Sequence, residues 1–579
     1  MKLICVVAFS TLVLTSSIIF TGCKDDPKGN EVTIGLAGEP DGLNLILSAG
    51  QAYSRQVTER HIFCSLGDTD PTTLAYTPFL AKGDAEINSI EMGNLTGGTS
   101  YTYEIIEEAK WDNGEPVTGK DFIFTLKTIL NPKVNAAVWR GYLDFIKVVR
   151  LDESNPKKLI VMTNKKYILA KDAIENMPIF PEYHYDPQHI MEKYSFETLT
   201  DKSRQEELSK DPILASFAQN FNSNFNRSKE TIVGCGPYQL EQWDNGQRLA
   251  LKKKPDWWGN KLMDSRPALA AFPDRLIYKF YGNMQTQIAD LKSSNLDAMS
   301  TIPASDFKKL QSDPEFSKNY SLYVQPSFTY NYLTLNTRNT ILQDSKTRKA
   351  IAYSIDVDAI IKNITEGLAT RLNTIVLPIK EYNRKDIPCI PFDTKKAKEL
   401  LSEAGWKDSN NNGIVDKNLN GKMTELKLKF LIPNKTPIPD LALLVQNNAK
   451  EAGIAIEIVA KDFNAAKEDM KNKNFEMAYT AKGGNASLDD FEQTWHSQKG
   501  ANDTGFGNPS LDVLIDEINS TMDISVRNAL YGKFQQIIYD EQPIILLTNP
   551  KERVAISKRF TKARPSLLRP YFFEQSFKK

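Results

Sequence analysis

Strands and helices alternate along residues 330–485, and this alternation restricts the fold more than any other feature of the sequence. The spacing of apolar residues predicts a strand at Tyr330–Leu335 and a helix over Thr347–Ile364. A further helix begins after its cap, Asp393, and is closed by Gly405. Strands that alternate with helices are typical of right-handed βαβ units with parallel strands. The sequence therefore predicts an α/β fold whose sheet is parallel in this region.

The alternation continues to the end of this region. In chain order the next predicted elements are a strand at Leu426–Phe430, a helix from Pro439 to Gly453, a strand at Ile454–Val459, a helix at Asn464–Lys471 and a strand at Phe475–Thr480. The last strand runs into the polar segment Ala481–Asn485. Because ligands of open α/β sheets bind beyond the carboxyl ends of the strands, this segment is predicted to be a ligand loop.

An antiparallel element is predicted outside this region. Asn245-Gly246 lies between two runs of alternating residues, Pro237–Trp243 and Gln247–Lys253. Asn-Gly between such runs is the strongest short-range signal for a β-hairpin. Near the start of the chain, Val32, Ile34 and Leu36 alternate with other residues and predict a separate strand.

The length and charge of the chain exclude some functions. Its 579 residues suggest roughly four domain-sized units of about 150 residues each. With 72 Lys and Arg against 72 Asp and Glu, the formal net charge is zero. Proteins that bind nucleic acids present basic surfaces to the phosphates, so nucleic-acid binding is not expected.

The first 22 residues have the pattern of a signal peptide. Lys2 supplies a positive charge, and the apolar stretch Leu3–Phe20 is dotted with hydroxyl groups. This stretch is too short for a typical membrane-spanning helix of about 20 apolar residues. It ends in Phe20-Thr21-Gly22-Cys23, which resembles the lipobox of bacterial lipoproteins, where the cysteine is acylated and the chain is cut just before it. The resemblance predicts removal of residues 1–22 and lipidation at Cys23.

These features predict a folded body tethered to a bacterial membrane by a lipid anchor. Residues 23–30 are polar and form the predicted anchor and linker. The periplasmic side is the expected location. Lys24-Asp25-Asp26 resembles a short signal for export to the cell surface, which is the alternative location. A cleaved secretory peptide, with Cys23 as an ordinary residue, is the alternative to the anchor.

Motifs for catalysis are missing from the sequence. None of the four histidines lies in an HExxH motif, and the chain contains no GxSxG, Walker A or GxGxxG pattern. We therefore predict a protein that is not an enzyme and that needs no cofactor. A surface hydrolase acting on glycans or peptides is the disfavoured alternative from another class of protein.

One loop and three thiols have a metal or redox alternative. Asp408, Asn410, Asn412 and Asp416 are spaced like the first ligands of a calcium loop, but the twelfth position is Leu419 instead of the bidentate Glu. A plain turn is favoured, and no metal is predicted. The thiols that remain after processing are Cys64, Cys235 and Cys389. Buried free thiols are expected there, and a single disulfide is the alternative.

Seven segments in a fixed order resemble the family 5 extracellular solute-binding proteins, the oligopeptide- and dipeptide-binding components of ABC importers. They are Trp111–Phe122 (WDNGEPVTGKDF), Gly234–Tyr238, Pro255–Gly259, Leu291–Ala298, Tyr332–Asn336, Arg348–Asp356 and Asn508–Asp512. In the first segment, Asp112-Asn113-Gly114 predicts a turn and Thr118 a helix cap, so the motif itself has a structural explanation.

The resemblance implies a two-lobed, periplasmic-binding-protein-like α/β fold of the class II type, with a hinge between the lobes and an extra inserted domain. The implied division is a discontinuous first lobe of residues 31–60, 225–320 and 548–579, an inserted domain of residues 61–224, and a βαβ-rich second lobe of residues 321–547. The implied function is capture of a peptide or similar small solute by a monomer that hands it to an ABC permease and ATPase. Binding of a sugar, nickel or haem, or action as a sensor, stays open.

The sequence departs from the family at one position. Peptide-binding relatives carry an Asp after the strand equivalent to Phe475–Thr480, where it pairs with the α-ammonium group of the ligand, and that place falls at Gly484. Asp489 or Asp490 substitutes for it if the loop is shifted. The ligand-binding residues implied by the resemblance and by the loop are Gly50, Gln51, Tyr330, Tyr479, Lys482, Gly484 and Asn485.

Overall fold

The computed structural model describes residues 29–48 and 50–579. The predicted signal peptide, Cys23 and most of the linker lie outside these residues. In chain order the strands are β1 Glu31–Leu36, β2 Gly67–Thr69, β3 Tyr76–Pro78, β4 Glu86–Ser89, β5 Thr99–Glu104, β6 Ile146–Leu151, β7 Lys158–Thr163, β8 Tyr238–Asp244, β9 Arg248–Lys253, β10 Arg275–Phe280, β11 Ala298–Met299, β12 Tyr320–Gln325, β13 Thr329–Leu335, β14 Ala369–Arg371, β15 Asp416–Leu419, β16 Lys422–Glu425, β17 Lys427–Pro433, β18 Ala455–Lys461, β19 Met477–Gly483, β20 Ile544–Pro550 and β21 Glu552–Ser557.

The helices are distributed along the whole described chain. They are α1 Ala52–Thr58, α2 Gly119–Leu130, α3 Ala137–Tyr142, α4 Ala170–Glu175, α5 Glu182–Tyr185, α6 Phe196–Thr200, α7 Gln205–Leu208, α8 Pro212–Asn224, α9 Met284–Lys292, α10 Ala304–Gln311, α11 Pro314–Asn319, α12 Ser345–Tyr353, α13 Val357–Ile364, α14 Thr394–Glu403, α15 Ile438–Glu451, α16 Phe463–Lys471, α17 Glu492–Trp495, α18 Pro509–Ser520 and α19 Ile524–Glu541. A search of the described residues finds no helix with the length and apolar character needed to cross a membrane.

A seven-stranded sheet, in the order β12-β21-β11-β1-β10-β9-β8, forms the centre of what we call the first lobe. β1 pairs in parallel with β10, and its side chains Val32, Ile34 and Leu36 are buried in the core. The predicted hairpin is confirmed, because β8 and β9 pair antiparallel around Gly246. The φ of Gly246 is +70°, a conformation that glycine adopts without steric cost.

A six-stranded sheet, in the order β14-β20-β13-β19-β17-β18, forms the centre of the second lobe. β17 pairs in parallel with both β18 and β19, as the βαβ pattern predicts. β13, however, pairs antiparallel with β19 and with β20. The prediction of a parallel sheet is therefore wrong for the pairs that involve β13 and β20, because β13 enters the sheet directly from the first lobe and β20 leaves it directly to the first lobe, without βαβ crossovers.

The chain passes between the two sheets at two adjacent places. β12 in the first sheet is followed after three residues by β13 in the second, and β20 in the second is followed after one residue by β21 in the first. Ser327 and Asn549 join these crossings. Asn549 Nδ2 donates to the carbonyl of Ser327 at 3.0 Å and to that of Thr329 at 2.6 Å, and Ser327 Oγ donates to the carbonyl of Pro550 at 2.5 Å. The lobe boundaries drawn from the sequence stay a prediction.

The segment between α1 and β8 carries its own four-stranded sheet, in the order β4-β5-β7-β6. Its buried apolar side chains belong to the same core cluster as those of the first lobe. The Trp111–Phe122 motif is a turn followed by a helix, as predicted. Thr118 Oγ1 accepts a hydrogen bond from the N–H of Lys120, and Asp121 Oδ2 accepts one from the N–H of Thr118 at 2.9 Å. These bonds satisfy N–H groups that the helix itself leaves unpaired.

Two predicted elements have different bounds in the structure. The helix predicted over Thr347–Ile364 is two helices, α12 and α13, because Asp356 Oδ1 accepts from the N–H of Ala359 and starts a new helix. The strand predicted to end at Thr480 continues as β19 to Gly483. Residues 481–483 are therefore paired with β13 and are not part of a free loop.

The predicted thiols and calcium ligands lie in ordinary structural surroundings. Cys64 and Cys235 are buried free thiols, and Cys389 is free and partly exposed. In the calcium-like loop, Asp408 accepts from the N–H groups of Asn412 and Gly413, and the carboxylate of Asp416 accepts from Ser409. These carboxylates stabilise a turn, and the choice of a plain turn over a calcium site stays a prediction.

Replacing Thr118 with Ala is expected to lower the free energy of unfolding by about 1 kcal/mol, because the first turn of α2 loses its cap. Thr118→Ser keeps the hydroxyl acceptor and should stay close to the wild type. Urea unfolding followed by circular dichroism measures both variants. Equal loss in the two variants would show that the methyl group, and not the cap, stabilises this end of the helix.

Candidate functional site

The lobes meet along a line of polar contacts that we call the interlobe seam. Tyr167 and Asp172 belong to the segment attached to the first lobe, and their partners belong to the second. Tyr167 Oη donates to Asp490 Oδ2 at 2.9 Å, and Ser487 Oγ donates to Asp172 Oδ2 at 2.8 Å. The N–H of Ile168 donates to the carbonyl of Asn519 at 2.9 Å.

Apolar side chains continue the seam into the second lobe. One buried cluster contains residues from both sides, among them Ile168, Leu169, Phe328, Tyr330, Tyr332, Trp495 and Leu514. Ile168 and Leu169 are less than one-tenth exposed although they lie on a short connection. Burial of apolar surface stabilises this arrangement of the lobes together with the polar contacts. The two lobes are therefore in direct contact in this structure, an arrangement that we call the closed state.

The structure brings Tyr330 and Lys482 together and separates Tyr479 from them. Tyr330 lies opposite Lys482 in the antiparallel pair of β13 and β19, so both side chains lie on the face of the sheet nearest the seam. Tyr479 lies three residues before Lys482 and therefore on the other face, where it packs against the core of the second lobe. Its contact with a ligand stays a prediction.

Two lysines near the seam carry charge in partly buried surroundings. Lys482 Nζ donates to Thr494 Oγ1 at 2.7 Å, and burial lowers the pKa of Lys482. Lys380 donates to the carbonyl of Ser487, and its Nζ lies 3.9 Å from Asp489 Oδ1. Burial also lowers the pKa of Lys380. These cations lie beside the segment that was predicted to bind ligand.

The two acids that follow this segment already have protein partners. Asp489 Oδ2 accepts from Tyr382 Oη at 3.0 Å, and burial raises the pKa of the Asp489 carboxyl. Asp490 Oδ1 accepts from Asn519 Nδ2 and from the N–H of Glu492, each at 2.8 Å, while its other oxygen accepts from Tyr167. Both carboxylates therefore organise the protein in this closed state.

Gly484 and Asn485 follow β19 and are exposed. The N–H of Gly484 donates to the carbonyl of Phe328 at 2.6 Å. A Cβ atom at Gly484 would lie 3.1 Å from that carbonyl oxygen, so a side chain fits only if the neighbouring backbone moves by a few tenths of an ångström. This close approach is a structural reason for glycine at the position where relatives carry an acid.

Gly50 and Gln51 lie at the start of α1 and are exposed. Gln51 occupies the N-cap position of the helix, and its side chain makes no capping hydrogen bond. Gly50 borders a cavity between the first lobe and α3. The structure thus places these two residues on the first-lobe side, apart from the group around Tyr330 and Lys482, and their contact with a ligand stays a prediction.

Several residues of the seam were missed by sequence reasoning. Tyr167, Asp172, Lys380 and Asn519 lie in no motif, and each reaches its partner from more than 25 positions away along the chain. Within the described residues, the one group of His, Cys, Asp and Glu side chains spaced to hold a metal ion is Glu182, His189 and Glu192. Sequence reasoning did not predict it.

Comparison with known proteins gives consistent matches over nearly the whole chain. The profile of bacterial extracellular solute-binding proteins, family 5 Middle, matches residues 77–505. The oligopeptide-binding protein AppA of Bacillus subtilis (strain 168) is 25% identical over 562 residues, which cover 94% of this chain and 93% of that protein.

Solved structures show the same architecture. The oligopeptide-binding protein AppA from Bacillus subtilis, in complex with a nonapeptide, matches with a TM-score of 0.68 at 22% identity and covers 95% of this chain and 98% of its own. NikZ from Campylobacter jejuni, in complex with Ni(L-His), matches with a TM-score of 0.69 at 21% identity and covers 95% and 99%. These likenesses confirm the two-lobed α/β fold.

Tyr167→Phe is expected to loosen the seam, because it removes the hydroxyl that joins the first-lobe side to Asp490. The amide of Ile168, which donates across the seam, should then exchange with deuterium several-fold faster. Hydrogen exchange with mass spectrometry measures this rate. The matched control is Tyr194→Phe, which removes a hydroxyl bonded to Asp211 within one lobe. The same acceleration in both variants would contradict a specific role for Tyr167.

Proposed function

The chain belongs to the family 5 bacterial extracellular solute-binding proteins, and from this premise we propose that it captures a peptide or a similar small solute between its lobes. The proposal rests on the seam. There the two lobes, each with its own core, meet beside Tyr330 and Lys482 through a few polar contacts. The captured solute passes to the permease and ATPase of an ABC importer. Binding and release, without covalent chemistry, are the whole activity.

Closure of the lobes is the mechanism of capture. The adjacent crossings, joined by Ser327 and Asn549, form a short hinge about which the lobes rotate. A solute shifts the population toward the closed state only by contacts that it gains on closure. In that state, Tyr167 and Asp172 reach Asp490 and Ser487, and the solute is shielded from water.

We propose a division into lobes that follows the one expected from the family. We assign residues 31–60, 225–325 and 551–579 to the first lobe, residues 61–224 to its inserted domain and residues 329–550 to the second lobe. Because β12 pairs within the first sheet, we place the first crossing between the lobes at residues 326–328 and not at the boundary expected from the family. The proposed ligand contacts on the two sides are Gly50 and Gln51, and Tyr330, Tyr479, Lys482, Gly484 and Asn485.

The position of Gly484 bears on which solute is held. A peptide amine buried here without a carboxylate is costly, and Asp489 and Asp490 are engaged by Tyr382, Tyr167 and Asn519. The protein therefore holds a peptide amine differently from relatives with an acid at this place, or it takes a solute without one. The neighbour solved with Ni(L-His) favours a non-peptide solute as the second candidate.

The family is extracellular, and we propose that this member is held at the membrane by acyl groups on Cys23. The lipobox at Phe20-Thr21-Gly22-Cys23 supports this anchor. A location on the periplasmic side is the one that suits delivery of the solute to an importer. Globomycin, which blocks signal peptidase II, should leave the precursor uncut if Cys23 is acylated. A Cys23→Ser variant processed to the same size as the wild type would overturn the anchor.

The experiment that tests capture uses the mature body, from residue 24 onward, purified gently. Native mass spectrometry is expected to show co-purified peptides, and peptide pools are expected to raise the melting temperature, because a ligand that binds only the folded state stabilises it. Sugars, Ni²⁺ with free histidine, and haem are tested in parallel. Stabilisation by one of these alone would replace peptide as the solute, and stabilisation by none would overturn capture.

Gly484→Asp is expected to increase the affinity for peptides with a free α-amine by about tenfold relative to the same peptides acetylated at the N-terminus. The new carboxylate supplies the partner that the wild type lacks. Gly483→Asp is the matched control, because a Cβ atom at Gly483 meets nothing within 4 Å and the residue is one position away. Isothermal titration calorimetry measures the ratio. An equal change of this affinity ratio in both variants would mean that the α-amine of the peptide binds elsewhere.

A further inference from the structure

A cavity of about 300 Å³ lies between Ile46, Leu47 and Gly50 of the first lobe and residues 132–140 of the inserted segment. Its lining combines apolar and cationic side chains, chiefly Ile46, Leu47, Val134, Val138, Lys133 and Arg140. No acidic side chain is among the described residues that line it. The cavity is therefore positively charged on one part of its wall and apolar on the rest.

Among the described residues, no carboxylate pairs with the guanidinium of Arg140. Its Nη1 donates to the carbonyls of Ile129 at 3.0 Å, Asn131 at 3.1 Å and Val134 at 2.9 Å. These three acceptors are uncharged, and they fix the guanidinium at the wall of the cavity. All three bonds use Nη1, so the N–H groups on Nη2 and Nε remain available as donors. Lys133, on the same wall, is exposed and makes no ion pair among the described residues.

We propose that this cavity binds a carboxylate group carried on a short apolar chain. A planar guanidinium with two free donor positions matches the two oxygens of a carboxylate, and such charge-assisted hydrogen bonds are about twice as strong as neutral ones. The apolar wall accommodates the chain next to the carboxylate. The inference rests on the proposed function where the carboxylate is one end of the captured solute.

The position of α3 connects this cavity to the seam. Ala137 and Val138, at the start of the helix, line the cavity. Tyr142, at its end, donates to Asp172 Oδ2 at 3.4 Å, and Asp172 accepts from Ser487 of the second lobe. A helix of 6 residues is only about 9 Å long, so the cavity lies within reach of a peptide-sized solute held at the seam. Gly50, an expected ligand contact, borders the same cavity.

The carboxylate has two sources with the same chemistry. It is either the C-terminal carboxylate of a captured peptide or a free short-chain carboxylate. The first source is tested with hexapeptides that end in an apolar residue, each made with a free carboxyl terminus and with a carboxamide terminus. The second is tested with hexanoate against hexanamide. Calorimetry measures the affinity of each probe for the wild type and for two variants, Lys133→Met and Arg140→Gln.

The wild type is expected to prefer the peptide acid over the peptide amide by about tenfold, and both variants should reduce that preference at least threefold. Lys133 is exposed, so its variant keeps the fold even if Arg140→Gln loosens the turn at residues 129–134. The matched control is Lys120→Met, which removes an exposed lysine of the same segment away from the cavity and should leave the preference unchanged.

Each outcome decides the proposal. Preference for the acid in the peptide pair, lost in Lys133→Met and kept in Lys120→Met, supports the first source. The same pattern with hexanoate alone supports the second source, and it does so even if no peptide binds and the proposed peptide capture fails. If peptides bind with equal affinity as acids and as amides, and hexanoate and hexanamide also do not differ, the cavity is not a carboxylate site. The proposed capture of a solute is then unaffected.

Discussion

Two hydrogen-bonded crossings hold the molecule together, and the arrangement of both lobes depends on them. Asn549 on one crossing donates to the carbonyl of Ser327, and Ser327 on the other donates to the carbonyl of Pro550, so the two passages of the chain act as one short connection. Each lobe keeps a separate buried core on its own side. A connection this narrow allows rotation but prevents the sheets from moving apart, which is the property that a clamping protein requires.

The seam contrasts with these crossings in its chemistry. Its polar contacts involve single side chains, Tyr167 with Asp490 and Asp172 with Ser487, and the first-lobe side contributes to its buried apolar cluster chiefly Ile168 and Leu169. Such contacts contribute modest net free energy, because water replaces each of them when the lobes open. A few additional contacts with a solute can therefore determine what fraction of the protein is in the closed state. The buried lysines and acids near β19 add charge that a solute of matching chemistry would meet.

Several elements in both lobes were predictable because they depend on local signals. Asp393 and Thr118 cap helices as their side chains allow, and Asn245-Gly246 forms its hairpin because few other residues adopt that turn. The split between α12 and α13 was missed, since the apolar spacing of the two helices is continuous and only the cap at Asp356 separates them. The antiparallel pairing of β13 was missed because strand direction depends on where the chain comes from.

By itself, the sequence determined the family, the hairpin at Asn245-Gly246 and the order of the strands and helices it marked by local signals, since these follow from neighbouring residues and collinear motifs. The tertiary structure decided which side chains meet. Tyr167 and Asp490 lie 323 positions apart, and no local pattern marks either one. Likewise Tyr330 and Lys482 share a face only because β13 and β19 pair in one register, while Tyr479 turns away. Contacts between distant segments depend on the register and the closure of whole lobes, and those arise only when the chain has folded.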